Sequence, residues 1–242
     1  ARSAGLRETR ERRRQAAMLY ICPTPIGNLG DITLRTLEVL KQAHLVACED
    51  TRRTRILLER HGVAAARLLS FHDHNEEQRL RTLLPILREG KDVAVVSDAG
   101  MPGLSDPGFT LIRACAAEGL PVTVLPGPSA ISTALVLSGL PADRFAFLGF
   151  LTRGKAKLIE QLERFDGTGA ALVAFESPRR VRSTLAAIGE RWPERRLAVC
   201  RELTKLHEEA VRGTAAEVLA HLADDVRGEI VLVLAAAGGQ AD

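Results

Sequence analysis

The chain's 242 residues are 46% hydrophobic and 26% charged, enough apolar material for one large core or two smaller ones under an ordinary water-facing surface. Only 4% are aromatic, which argues against a base-stacking platform for single-stranded nucleic acid. The net charge of +3 is unevenly spread: residues 1–17 hold six arginines and two glutamates, whereas the remainder holds 27 basic against 28 acidic side chains.

The basic stretch 1–17 lacks apolar periodicity and reads as a disordered tail ahead of a start at Met18. From there, short apolar runs alternate with helical patterns. LYIC (19–22) precedes a helix around ITLRTLEVLKQA, whose Leu34, Leu37, Val39 and Leu40 form one apolar stripe. LVAC (45–48) precedes a helix near 52–60, and RLLSF precedes EEQRLRTLLPILREG. VAVVS (93–97) leads to DPGFTLIRACAAEG, and PVTVL (121–125) leads to PSAISTALVLSG. Continuous apolar strands alternating with helices predict an α/β fold with a mainly parallel sheet.

After residue 125 the rhythm changes. FAFLGF, ALVAFES, LAVCREL, HEEAVRG and EIVLVLA are strand candidates with fewer helices between them, and 197–203 and 207–213 are close enough to form a hairpin. The pattern predicts two α/β domains, 18–125 and 126–237, the second with a mixed sheet. Cys22, Cys48, Cys115 and Cys200 lie far apart in apolar runs and read as buried, reduced thiols of a cytoplasmic protein. No metal site is expected: His72 and His74 of HDHN lack a third ligand nearby. No apolar run reaches membrane-spanning length.

Polar and glycine-rich loops follow five strands: 23–31, 49–55, 97–108, 126–130 and 176–182. Ligands of open α/β sheets bind beyond the carboxyl ends of strands, so loops gathered there suggest a site. Neither G-x-G-x-x-G nor G-x-x-x-x-G-K-[ST] occurs, and the prolines of PTPIGN remove amide donors that a phosphate cradle needs. Such a loop suits an adenosine or a sulfonium better than a triphosphate. In SDAGMPGLSDPG, Asp106 followed by Pro107 reads as a helix N-cap and first helical residue. Asp98 follows its strand directly and is expected to meet a ligand. Ser129 opens a helix and reads as its cap.

EDTRRTR and ESPRRVR each place a carboxylate at a strand end and arginines at a helix start, where the helix dipole disfavours cations. A bound anion would explain them. Arg52, Arg53, Arg179 and Arg180 are therefore candidate phosphate contacts, with Glu49, Asp50 and Glu176 as orienters or bases. The near-neutral body requires such contacts to form a local patch.

In order along residues 19–234, LYICPTPIGNLGD, CEDTRRT, FHDHNE, VVSDAGMPGLSDPG, LPGPSA, FESPRRV, CRELTKLHEE and RGEIVLVL closely resemble the bacterial 16S ribosomal RNA cytidine 2′-O-methyltransferases. These form a branch of the tetrapyrrole-methylase superfamily. The resemblance implies S-adenosylmethionine as methyl donor, held between two α/β domains, a homodimer, and 16S rRNA or the small ribosomal subunit as substrate. It also implies that Pro25, Ile26, Gly100, Met101, Leu104, Ser129 and Ala130 line the donor site, with Phe175 and Glu229 added from the second half. PTPIGN stands where tetrapyrrole enzymes carry G-x-G-P-G-D, with Asn28 at the acidic position, and Met101 replaces the acid of their G-D-P. Both departures favour the RNA branch over a tetrapyrrole or other small-molecule methylase. A non-catalytic RNA-binding module is the alternative from another class. For the base that takes the ribose proton, Asp98 comes first, then Glu176 and Asp50.

Overall fold

The computed structural model describes residues 17–64 and 67–238, which leaves the basic tail, apart from Ala17, outside the described residues. The chain divides into two compact units between Pro128 and Ser129, three residues beyond the boundary expected from sequence. Among the described residues no helix is long and apolar enough to cross a membrane.

In the N-terminal unit, strands β1 (Leu19–Ile21), β2 (Leu45–Cys48), β3 (Arg67–Ser70), β4 (Val93–Val96) and β5 (Val122–Val124) form one parallel sheet ordered β3-β2-β4-β1-β5. Every residue of β2 and β4 is buried, as expected of strands covered on both faces. Alternation along the strands sends neighbouring side chains to opposite faces. Leu45, Ala47, Val93 and Val95 pack with Leu83 and Leu87 of α3 (Glu76–Arg88) and Leu111 and Cys115 of α4 (Phe109–Glu118). Val46, Cys48, Ala94 and Val96 pack on the other face with Leu40 of α1 (Leu34–Gln42) and Leu57 and Leu58 of α2 (Thr51–Arg60).

Two local expectations change. Leu34 is exposed and not part of the α1 stripe; the buried positions are Thr36 and Leu40. At about 100° per residue, a position two before Thr36 falls on the far side of the helix. The helix after β4 starts at Phe109, with Gly108 rather than Asp106 at its N-cap.

The C-terminal unit carries a mixed sheet ordered β6-β7-β10-β8-β9, made of β6 (Phe145–Phe150), β7 (Ala171–Glu176), β8 (Leu197–Arg201), β9 (Glu209–Gly213) and β10 (Ile230–Leu234). β6 and β7 run parallel, β10 lies antiparallel to β7 and β8, and β8–β9 form the expected hairpin. Helices α6 (Lys155–Asp166), α7 (Val181–Arg191) and α8 (Ala215–His221) bury Leu158, Leu162, Leu185, Ile188 and Val218 against one face. On α5 (Ala130–Ser138), Ala134 and Leu135 are buried, and the Cys200 thiol donates to the Ala134 carbonyl. All four cysteines are buried and unpaired, and burial pushes the Cys22 thiol up to about 12.

The loop after β5 is locked to the loop after β1 by close approach. A Cβ on Gly127 would lie 2.4 Å from Cγ of Pro23, a rigid ring that cannot swing aside. Gly127→Ala should cost about 1–3 kcal/mol by overpacking, read as a lower urea midpoint at unchanged slope.

Candidate functional site

Because all five strands of the N-terminal unit are parallel, the loops after β1, β2, β3 and β4 leave the sheet on its carboxyl edge. Two are tied together: Thr24 and Gly100 exchange both backbone hydrogen bonds, at 2.9 and 3.0 Å, and the Thr24 hydroxyl donates to the Ser97 carbonyl. This brings Pro25 and Ile26 beside Gly100, where an added Cβ would sit 3.5 Å from Ile26. Gly100 has φ +80°, a conformation that favours glycine. Met101 is partly buried and Leu104 exposed on the same loop. Asn28 caps the short 3-10 turn Leu29–Asp31 by accepting the Gly30 amide.

Carboxylates gather at the same edge. Asp98 is fully engaged: Oδ1 accepts the Asp50 amide at 3.0 Å, and Oδ2 lies 3.2 Å from Nη1 of Arg53. Its own amide donates to Glu49 at 3.3 Å. Asp50 is the N-cap of α2 and grips Arg52 through both oxygens. Those bonds hold its carboxyl well below the usual carboxylate range, which makes it a poor proton acceptor.

Asp106 is the residue the sequence placed wrongly. The amide of Gly108, which a capping Asp106 would serve, donates instead to Oε1 of Glu76 at 3.0 Å, as does that of Thr110 at 2.9 Å. Glu76 opens α3, so the cap arrives from 32 residues away. Gly108 can reach this geometry because its φ is +136°. Asp106 is left half-buried near Ser97, with Glu49, Asp73 and Asp98 as like-charged neighbours. Burial first, and then the Glu49 charge, push its carboxyl up to about 6.

Ile26, Met101 and Leu104 beside a glycine, with carboxylates flanking them, form an apolar, locally anionic ledge. Such a surface suits an apolar or cationic group better than a phosphate.

In the C-terminal unit Ser129 occupies the N-cap of α5, but its side chain makes no capping bond; its carbonyl accepts from Thr133. Ala130 begins that helix. Phe175 sits in β7 opposite Val231 and packs edge-on to Phe147 and Phe150. Glu229 precedes β10, and its exposed carboxylate accepts from Lys205 at 3.0 Å.

Glu176 does not present a free carboxylate. Its side chain is fully buried and accepts from the Thr184 hydroxyl at 2.6 Å, the Ser177 amide at 2.7 Å and Nη2 of Arg180 at 3.0 Å. The same Arg180 nitrogen reaches the Leu151 carbonyl at 2.7 Å. This cluster closes the turn between β7 and α7 and takes Glu176 out of reach of a substrate. Arg179 is exposed, with no partner among the described residues.

His72 and His74 lie with ring centroids 6.0 Å apart. Among the described residues no group of three or more His, Cys, Asp or Glu side chains converges to hold a metal ion.

Residues 18–219 match the family model described as Tetrapyrrole (Corrin/Porphyrin) Methylases. A "Ribosomal RNA small subunit methyltransferase I" of Hydrogenobaculum sp. (strain Y04AAS1) is 47% identical over 218 residues, covering 89% of this chain and 94% of the relative. A protein of the same name from Thermotoga maritima is 46% identical, over 89% of this chain and 97% of its own. Among solved structures, the cobalamin biosynthetic enzyme cobalt precorrin-4 methyltransferase superposes with a TM-score of 0.66 at 21% identity, over 90% and 94% of the two chains, a likeness of fold.

Proposed function

The chain belongs to the tetrapyrrole methylase family, and from that premise we propose that it transfers a methyl group from S-adenosylmethionine to the 2′-hydroxyl of a cytidine in 16S ribosomal RNA. The observation that carries the reading is the near-full-length identity, 47% and 46%, to relatives named for methylating small-subunit RNA. The proline-bearing PTPIGN loop and Met101, in place of the glycine and acid of tetrapyrrole enzymes, support the same choice. The proposal includes a cytoplasmic homodimer of two domains, 18–125 and 126–237, acting on 16S rRNA or the small subunit.

Pro25, Ile26, Gly100, Met101 and Leu104 would hold the donor, with Ser129, Ala130, Phe175 and Glu229 as further contacts carried by the resemblance. Bound there, S-adenosylmethionine supplies a methyl group already activated by its sulfonium. The protein's own task is to fix the ribose hydroxyl and receive its proton, since positioning provides much of the acceleration. Asp106 is the group proposed to take that proton. Its two oxygens are not committed to cations, and a carboxyl raised to about 6 is matched to base work near neutral pH. Asp98, first candidate on sequence grounds, is proposed to position Arg53 and the start of α2.

Arg52 and Arg53 are proposed to hold RNA phosphates, their side chains being 85% and 68% exposed. Reversing both charges should weaken RNA binding and lower the slope of log affinity against log salt by about 0.7 per lost contact. Unchanged affinity and slope in filter binding would remove both from the RNA path. The functional reading itself is tested by mapping ribose methylation in 16S rRNA from cells with and without the protein. Loss of one 2′-O-methylcytidine is expected, and an identical map would overturn it.

A further inference from the structure

The C-terminal unit contains a cleft of about 550 Å³ between the start of α6 and one side of α7, within the size range of ligand pockets. Its walls include Thr152, Arg153, Lys155, Arg180, Ser183 and Glu190. We infer that this cleft is a phosphodiester subsite that holds the RNA backbone.

Three features of the walls select an anion. Arg153 is exposed and has no ion-pair or hydrogen-bond partner among the described residues. Arg180 commits only Nη2, to the Leu151 and Thr152 carbonyls and to Glu176, so Nε and Nη1 stay available for a second acceptor. Glu176 and the two carbonyls hold the guanidinium in one orientation, which lowers the entropy lost when a phosphate docks. Lys155 is balanced by Glu190 and Arg180 by Glu176, so the net charge at the walls rests on Arg153.

The start of α6 adds donors. Gly154, with φ +87°, occupies the N-cap and has no side chain to cap with, and the intrahelical ladder begins only at the Leu158 amide. The Thr152 amide is already given to Gln161. The amides of the first turn, at the rim where Gly154 and Lys155 lie, are therefore open to an anion. An apolar ligand would strand these charges, and a cation would be repelled. A strand of RNA fits, because Arg179, exposed next to Arg180, extends the positive track beyond the cleft.

This inference rests on the RNA-methylating reading. Arg153→Glu tests it, since the side chain is exposed and unpartnered. With a 16S rRNA fragment, the variant should bind about tenfold more weakly and lose about 0.7 from its salt slope. Donor affinity by calorimetry should be unchanged, and KM for RNA should rise with kcat retained at saturation. RNA affinity and salt slope equal to those of the unsubstituted protein would overturn the inference while its methylation of RNA still stood. So would saturable binding of inorganic phosphate that Arg153→Glu abolishes while RNA affinity stays unchanged, which would mark a free-phosphate site. Failure of the unsubstituted protein to bind or methylate RNA would overturn the functional reading, and this inference with it.

Discussion

Asp106→Asn should lower the turnover number for RNA methylation by about 10²–10⁴-fold while leaving donor affinity close to normal. The same residue should set the acid limb of the pH–rate profile, with kcat/KM rising through a midpoint near about 6. Glu49→Gln removes the like charge that acts most strongly on Asp106 and should move that limb to lower pH, a response that a purely structural Asp106 would not give. Asp98→Asn should act chiefly through the loss of the Arg53 contact and, being a weaker like-charged neighbour of Asp106, should move the limb less than Glu49→Gln does. A limb unmoved in Glu49→Gln, or near-full turnover in Asp106→Asn, would remove Asp106 as the base.

The raised carboxyl also carries a stability signature of defined sign. The folded protein binds this proton more tightly than the unfolded chain, so its contribution is fully present below about 3.8 and is lost as pH rises through about 6. Above that range the ionised, half-buried group costs stability, reduced by its partial exposure to about 1 kcal/mol. Asp106→Asn should therefore melt a few degrees higher than the unsubstituted protein at pH 8, with the difference vanishing near pH 4. Gain of stability with loss of turnover is what a strained functional group produces.

Glu176→Ala should be the most destabilising single change in the C-terminal unit, by about 3–5 kcal/mol. It would leave the Arg180 guanidinium, the buried Thr184 hydroxyl and the Ser177 amide without their shared acceptor. Glu176→Gln keeps an acceptor and loses the charge, so it should fall between the two. Urea unfolding followed by circular dichroism reads both. A loss below about 1 kcal/mol for the alanine variant would mean that Glu176 is not the anchor of this turn, and would reopen it as a base.

The framework was legible because its determinants are local. Four-residue runs such as LVAC and VAVV are buried on both faces, and they match β2 and β4 at their first residues. The loops at the strand ends followed from the same reading. Asp106 was misjudged because D-P-G before an apolar helical run is a strong capping signal, and its rival, Glu76, lies on another helix. Only tertiary packing brings that carboxylate to the start of α4 and frees Asp106. Glu176 was misjudged in the opposite direction. A carboxylate at a strand end looks like a free base, yet Thr184 of α7, with Ser177 and Arg180, closes it inward. Alternation and turn chemistry fix which residues sit at an edge; which of them faces inward depends on partners that no short window contains.

The most direct test is a single-turnover reaction of the purified protein with labelled S-adenosylmethionine and unmethylated small ribosomal subunits, followed by nuclease digestion and mass spectrometry of the 16S RNA. The expected result is one labelled methyl group on the 2′-oxygen of one cytidine. Label on a base, label only on a precorrin-like acceptor, or no transfer by protein that binds the donor would contradict the proposed function.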